Sequence, residues 1–309
     1  MDIPILLLAF NRPDVFQELL DSLRFVKPQK IYIAVDGPRK EKPDDFGKVK
    51  AVHNIIHTID WPCEIKTLFR EVNMGCRHSV TDAISWFFKQ ETFGIILEDD
   101  CIPNVHFFDY CREMLEQYKE DKRVFSIAGY NPVNTINFDN YAYDYWFYPT
   151  AICWGWATWA NRWQFYNDSE TLYKEVISNN SLLQQTDNSW FGNKYKFLVD
   201  KVLKEEITAW DYIWYYTLLL QNGLSIIPKY NFINNIGCNH PDASHKFDEQ
   251  FVVTKTHVFD SEIKWKHPTY MIRNAAFEEV LKLEFFPPQP PFSKRIIPKI
   301  KSFVKKIIQ

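Results

Sequence analysis

Gly94-Ile95-Ile96-Leu97-Glu98-Asp99-Asp100 joins an apolar run directly to three consecutive carboxylates. The run reads as a buried strand, and burying one unpaired carboxylate is costly, three together more so. A hard divalent cation such as Mn2+ or Mg2+ would resolve the conflict, because it takes oxygen ligands and neutralises diphosphate charge. The trio therefore points to a metal and nucleotide site. A solvated acidic turn is the plain alternative for the same residues.

The elements that must carry this trio alternate between strand and helix patterns. Ile3 to Phe10 is a continuous apolar run, followed by Pro13 at a first helical turn and by Val15, Phe16, Leu19, Leu20 and Leu23 at helical spacing. Lys30 to Asp36 and Val49 to Ile59 repeat the pair. Glu64 to Arg70 predicts a third strand, Val80 to Phe88 a helix, Gly94 to Leu97 a fourth strand, Pro103 to Leu115 a helix and Val124 to Ala128 a strand. Such alternation predicts an α/β fold with a mainly parallel, twisted sheet covered by helices.

Ligands of open parallel sheets bind beyond the carboxyl ends of the strands. Asn11, Arg12, Asp36, Gly37 and the trio all fall at such ends, far apart in sequence yet predicted to share one rim. Asp36-Gly37-Pro38 also fits a simple turn. Gly totals only 9, with no Gly-rich phosphate loop after any strand, so metal and side chains must handle a diphosphate.

Past about Asn131 the chain changes character: Tyr141 to Trp163 is aromatic-rich, 167–204 is polar and helical, Trp210 to Leu220 is an apolar helix and Ser225 to Gly237 a strand. The expected organisation is a ligand-binding α/β half over 1–130 and, over 131–285, a continuation of the same domain that builds the other wall of the cleft. A proline-rich spacer with a basic amphipathic helix follows over 286–309. In that helix Ile300, Phe303, Val304, Ile307 and Ile308 form one stripe and Lys299, Lys301, Lys305 and Lys306 lie around it. This suits contact with an anionic membrane surface or docking on its own domain.

A net charge of −3 gives no basic footprint for nucleic acid. Six cysteines without a CxxC pair argue against a structural zinc site or a disulfide framework and fit a reducing cytosol. The opening apolar run is too short to span a bilayer and lacks signal-peptide flanks. The expected location is cytoplasmic, with peripheral contact on the inner membrane face.

With these residues in place, the chain resembles glycosyltransferases of the GT-A fold, and more narrowly bacterial relatives of the N-acetylglucosaminyltransferase I family. Ala9-Phe10-Asn11-Arg12, Val35-Asp36-Gly37, Arg77-His78, Leu97-Glu98-Asp99-Asp100 and Trp210-Asp211 stand in the family's order, over about residues 1–245. The resemblance implies that Asn11 and Arg12 contact the nucleotide, that Asp36 and His78 read the uracil edge, and that Glu98 touches the donor sugar, Asp99 the ribose and Asp100 the metal. It also implies that Asp211 is the catalytic base, with Trp210 beside it at the donor sugar. Tyr148 to Trp156 differs from the family's corresponding loop, so acceptor identity does not carry over.

Arg77 and His78 open a helix, where a cation gains nothing from the dipole, so a phosphate or the acidic trio is one reason for them and ordinary surface placement the other. Asp211 among bulky aromatics is either catalytic, a helix cap or a buried hydrogen-bonded group. His245, with His240 a lesser candidate, lies in a late polar stretch that could reach metal or diphosphate. Trp154, Trp156 and Trp159 pack the core or stack on a sugar. These readings lead to metal-dependent, inverting transfer of a sugar from a nucleotide diphosphate, a UDP-sugar, to a hydroxyl of a glycan or lipid-linked acceptor. A nucleotidyltransferase and a catalytically silent glycan-binding module are the rivals.

Overall fold

A computed structural model describes residues 2–133, 138, 140–179, 189–238, 240–242, 255–259 and 263–285. Its centre is an eight-stranded sheet built from β1 (Ile5–Ala9), β2 (Lys30–Val35), β3 (Glu64–Phe69), β4 (Phe93–Glu98), β6 (Val124–Ala128), β7 (Tyr145–Tyr148), β8 (Trp156–Trp159) and β9 (Leu224–Pro228), in the order β3-β2-β1-β4-β8-β6-β9-β7. β3, β2, β1 and β4 run parallel; β8 is inserted antiparallel between β4 and β6, β6 and β9 are parallel, and β7 closes the edge antiparallel. The protein is thus α/β, with a mostly parallel sheet flanked by helices.

The apolar runs are continuous because the central strands are covered on both faces. In β1, Ile5 and Leu7 pack with Phe16, Leu19 and Leu20 of α1 (Pro13–Leu23) and with Val49 and Val52 of α2 (Pro43–Ile55). Leu6 and Leu8 face the other way, with Val80, Ile84 and Phe87 of α3 (Gly75–Phe88). β1 connects through α1 to β2 on one side, whereas β4 lies on its other side. The strand order reverses there, the position at which open sheets form a ligand crevice.

α4 (Val105–Gln117) follows β5 (Cys101–Pro103), a three-residue strand that pairs antiparallel with β10 (Ile233–Asn235) and turns the chain back at once after the acidic trio. Cys101–Pro103 carries no strand pattern in the sequence. Ser225 to Gly237, expected as one strand, is divided: Lys229 to Phe232 separate β9 in the large sheet from β10 in this ribbon. Short helices α5 (Ala160–Trp163) and α6 (Glu170–Ser178) lead to α7 (Ser189–Leu203), α8 (Asp211–Leu220) and the late α9 (Ala275–Phe285). Among the described residues no helix is long and apolar enough to cross a membrane. The spacer 286–291 and the basic stripe 299–309 lie outside the described residues.

Candidate active site

The carboxyl ends of β1, β2 and β4 open into a cavity of about 400 Å3. Asn11, Arg12, Asp36, Glu98 and Asp99 line it, so five residues expected on one rim are brought together. Arg39, Asn73, Cys76 and Asp242 complete its polar wall.

At the β2 end the protein satisfies itself. Asp36 is buried, and its Oδ1 accepts the backbone N–H of Gly37 and of Met74, each at 2.9 Å. Its Oδ2 accepts the Gly75 N–H at 3.1 Å and Asn73 Nδ2 at 3.0 Å. Burial raises its pKa, against the pull of these amides and of Arg70. The carboxylate thereby anchors the loop between β3 and α3. Gly37 permits that approach, because a Cβ there would lie 2.4 Å from the Val72 carbonyl carbon. Next to it, Asn11 Nδ2 donates to Asp45 Oδ1 at 2.8 Å, and Arg39 closes on Asp45 through Nε and Nη2 at 2.6 and 3.0 Å. The Arg39 guanidinium also stands 5.1 Å over the Phe10 ring. Arg39 holds the Asp45 pKa down to about 2.

The β4 end is the opposite case. Arg12 grips Asp99 through Nη2 and Nε and meets Asp100 through Nη1 at 2.9 Å. Burial opposes its charge, but the two carboxylates outweigh it and raise its pKa. Among the described residues this is the guanidinium that pairs with the trio. Burial pushes Asp99 up despite Arg12. Glu98 is pushed up to about 8 by burial and then by Asp100, Asp211 and Asp99.

Asp100 sits behind the cavity wall, where Asn235 Nδ2 reaches its Oδ1 at 3.5 Å, and a Cβ on Gly237 would lie 2.0 Å from its Oδ2. The β5–β10 ribbon supplies this backing. From its end the chain crosses toward α1 and α2: His240 meets Asp14 at 3.3 Å and Asp242 meets Lys48 at 2.5 Å.

Asp211 is the first residue of α8, where the helix dipole favours a carboxylate, and Tyr215 donates its hydroxyl to Oδ2 at 2.7 Å. It is near enough to Glu98 to raise that residue's pKa.

Three expected site residues lie elsewhere. Arg77 is buried as a strut, donating to the Val202 carbonyl of α7 and to Asp168, both at 2.8 Å. His78, one residue on and therefore about 100° around the helix, is 52% exposed and 4.0 Å from Glu205. Trp210 is 3% exposed, stacked at 5.8 Å on Trp156 in a cluster with Trp163 and Trp214. It is core and offers no open platform. His245 lies outside the described residues. Asn73, Arg39, Asp45, Cys76 and Asp242 were not anticipated; the only signal was that Asn73 and Arg39 follow strands whose neighbours already carried site residues.

No family model matches the chain. Among solved structures it is similar to the crystal structure of residues 1–349 of S. aureus TarS, at 12% identity and a TM-score of 0.42, covering 75% of this chain and 60% of that one. The chain thus spans less than two thirds of the length of that structure. It is also similar to apo UDP-glucose pyrophosphorylase (11% identity, TM-score 0.39, covering 76% and 93%) and to HddC from Yersinia pseudotuberculosis (10%, 0.33, covering 52% and 77%).

Proposed function

We propose that this protein is a glycosyltransferase that moves a sugar, with inversion, from a nucleotide diphosphate donor, a UDP-sugar, to a hydroxyl of a glycan or lipid-linked acceptor. The observation that carries the reading is the pairing of Arg12 with the carboxylates at the switch point of the sheet, on a cavity whose wall includes Glu98, which Asp211 is near enough to influence electrostatically. In this reading Asn11, Arg12 and Asp99 bind the nucleotide, Glu98 contacts the donor sugar, and Asp211 accepts the proton of the attacking hydroxyl. Tyr215 orients Asp211 for that task, and transfer from the face opposite the leaving group inverts the anomeric centre.

A divalent cation fits the donor set. Among the described residues no group of three or more His, Cys, Asp or Glu is gathered around one point. Mg2+-like ions, however, are commonly held by one or two carboxylates plus substrate phosphates, and Asp99 and Asp100 are two adjacent carboxylates that share the Arg12 guanidinium. Asp100, with Asp99, would hold Mn2+ or Mg2+, which when bound would neutralise charge on the departing diphosphate. Arg12 supplies the protein's own positive charge at the same place.

Product analysis tests the reading. Release of a nucleoside diphosphate on adding a UDP-sugar and acceptor supports it; pyrophosphate release would make the protein a nucleotidyltransferase, and neither transfer nor donor hydrolysis would make it a binding module. Asp211→Asn is expected to abolish turnover while the donor still binds, and normal turnover would remove Asp211 from its role. We place the basic stripe 299–309 on an anionic membrane surface. Deleting residues from Pro291 onward without loss of liposome binding would defeat that placement.

A further inference from the structure

We propose that Asn73, and not Asp36, reads the nucleobase, and that it selects a base carrying a ring N–H beside a carbonyl, as uracil and guanine do. The proposal rests on the nucleotide-sugar reading of the cavity.

Asp36 has nothing left to offer a base. A carboxylate has about four acceptor positions, and the N–H groups of Gly37, Met74 and Gly75 together with Asn73 Nδ2 take four. Asn73 is different. Its amide nitrogen donates to Asp36 Oδ2 at 3.0 Å and to the Gly37 carbonyl at 2.8 Å. Both partners can only accept, so the orientation of the amide is forced, nitrogen toward them and Oδ1 away. Oδ1 makes no hydrogen bond among the described residues, and Asn73 is part of the cavity wall. The result is an acceptor in a polar cleft, held in place by both of its own donors.

Such an acceptor matches N–H. Uracil presents N3–H between two carbonyls, whereas cytosine presents a bare N3 lone pair that would oppose Oδ1. Arg39, in the same wall, commits Nε and Nη2 to Asp45 and leaves Nη1 without a hydrogen bond among the described residues. It is a donor suited to a carbonyl that flanks the N–H. Asp36 is then a positioning residue that acts through Asn73.

Calorimetric titration of the full chain with UDP, 3-methyluridine diphosphate, CDP and GDP, in the presence of Mn2+, tests this. The expected result is that 3-methyluridine diphosphate and CDP bind about 10- to 100-fold more weakly than the preferred nucleotide with a ring N–H, the loss expected for one unpaired polar group. Whether UDP or GDP binds more tightly identifies the base. N73A should erase most of the gap between UDP and CDP. Equal binding of UDP and its 3-methyl analogue by the unsubstituted protein would overturn the proposal while leaving the donor reading intact. Failure of every nucleoside diphosphate to bind would overturn the donor reading, and this one with it.

Discussion

Asp36 ends β2 and Glu98 ends β4, on either side of β1, and their surroundings differ in kind. Asp36 is met by four protein donors, three of them backbone N–H groups of a loop wrapped around it. The Glu98 carboxylate makes no hydrogen bond among the described residues and feels three other carboxylates, Asp100, Asp211 and Asp99, of which Arg12 pairs with Asp99 and Asp100. Among the described residues, then, one corner of the rim is completed by main-chain donors, whereas the other gathers more carboxylates than cations. A rigid corner suits recognition of a neutral, shaped group such as a base. A corner that gathers carboxylates suits a ligand that arrives with a cation.

The largest effect that can break this contrast is removal of Arg12, the guanidinium paired with Asp99 and Asp100 among the described residues. Arg12→Ala strands Asp99 and Asp100 in a largely buried site, and loss of one partner from such a group costs roughly 3–5 kcal/mol. Urea unfolding should show that loss, with nucleotide binding abolished, while Arg12→Lys recovers part of both. A stability within experimental error of the parent would mean that water already screens the cluster and that the corner is not undercompensated.

The pH response separates the two corners next. The folded-state pKa of Glu98, about 8, lies above its ordinary 4.5, so the native state holds a proton that the unfolded chain gives up. Its contribution is most favourable below about pH 4.5 and is lost as pH rises toward 8. Asp45 behaves in the opposite sense: paired with Arg39 and held at about 2 against an ordinary 3.8, its contribution is present above 3.8 and lost on acidification toward 2. Melting curves between pH 5 and pH 8 should therefore show Tm falling with pH. Glu98→Gln should flatten that slope, and saturating Mn2+ should restore Tm at the alkaline end. A slope unchanged by Glu98→Gln would assign it to other groups.

Much of this arrangement was legible in the sequence, for a physical reason. Strands covered on both faces must be apolar throughout, so Ile5–Ala9, Lys30–Val35 and Phe93–Glu98 stand out and their ends fix where Asn11, Arg12, Asp36 and Glu98 fall. Side-chain direction is not legible in that way. Arg77 and His78 are adjacent on α3, yet one is drawn inward to the Val202 carbonyl and the other faces solvent, and only the position of α7 decides it. Trp210 next to Asp211 suggested a sugar platform, but Trp156, Trp163 and Trp214 bury it. Asn73 and Arg39 are single polar residues in loops and Asp45 lies in the first turn of α2; Asn73 and Asp45 gain their significance from Asp36 and Asn11, 37 and 34 residues away, and Arg39 gains its own from pairing with Asp45. β5 and β10 are three residues each, too short to carry a period.

The rigid corner has its own test, smaller in energy. Gly37→Ala places a methyl 2.4 Å from the Val72 carbonyl carbon, backbone that cannot rotate out of the way. Overpacking of this kind costs roughly 1–3 kcal/mol. The loop that Asp36 holds should shift, and base discrimination should weaken more than affinity for the diphosphate. Equal weakening of both would show that the loop supports the whole cavity and not the base corner alone.

His78→Ala is the smallest change and marks the outer limit of the comparison. Its ring is 52% exposed and its nearest carboxylate, Glu205, is 4.0 Å away and itself exposed, an arrangement that contributes within about 0.5 kcal/mol. Nucleotide affinity should not change, because the base corner is already built by Asp36 and Asn73 without it. A drop in affinity on His78→Ala, with melting temperature unmoved, would mean that α3 turns this residue inward when ligand binds. The base corner would then be completed by ligand, as the β4 corner is, and the distinction between a finished and an unfinished end of the rim would be one of degree.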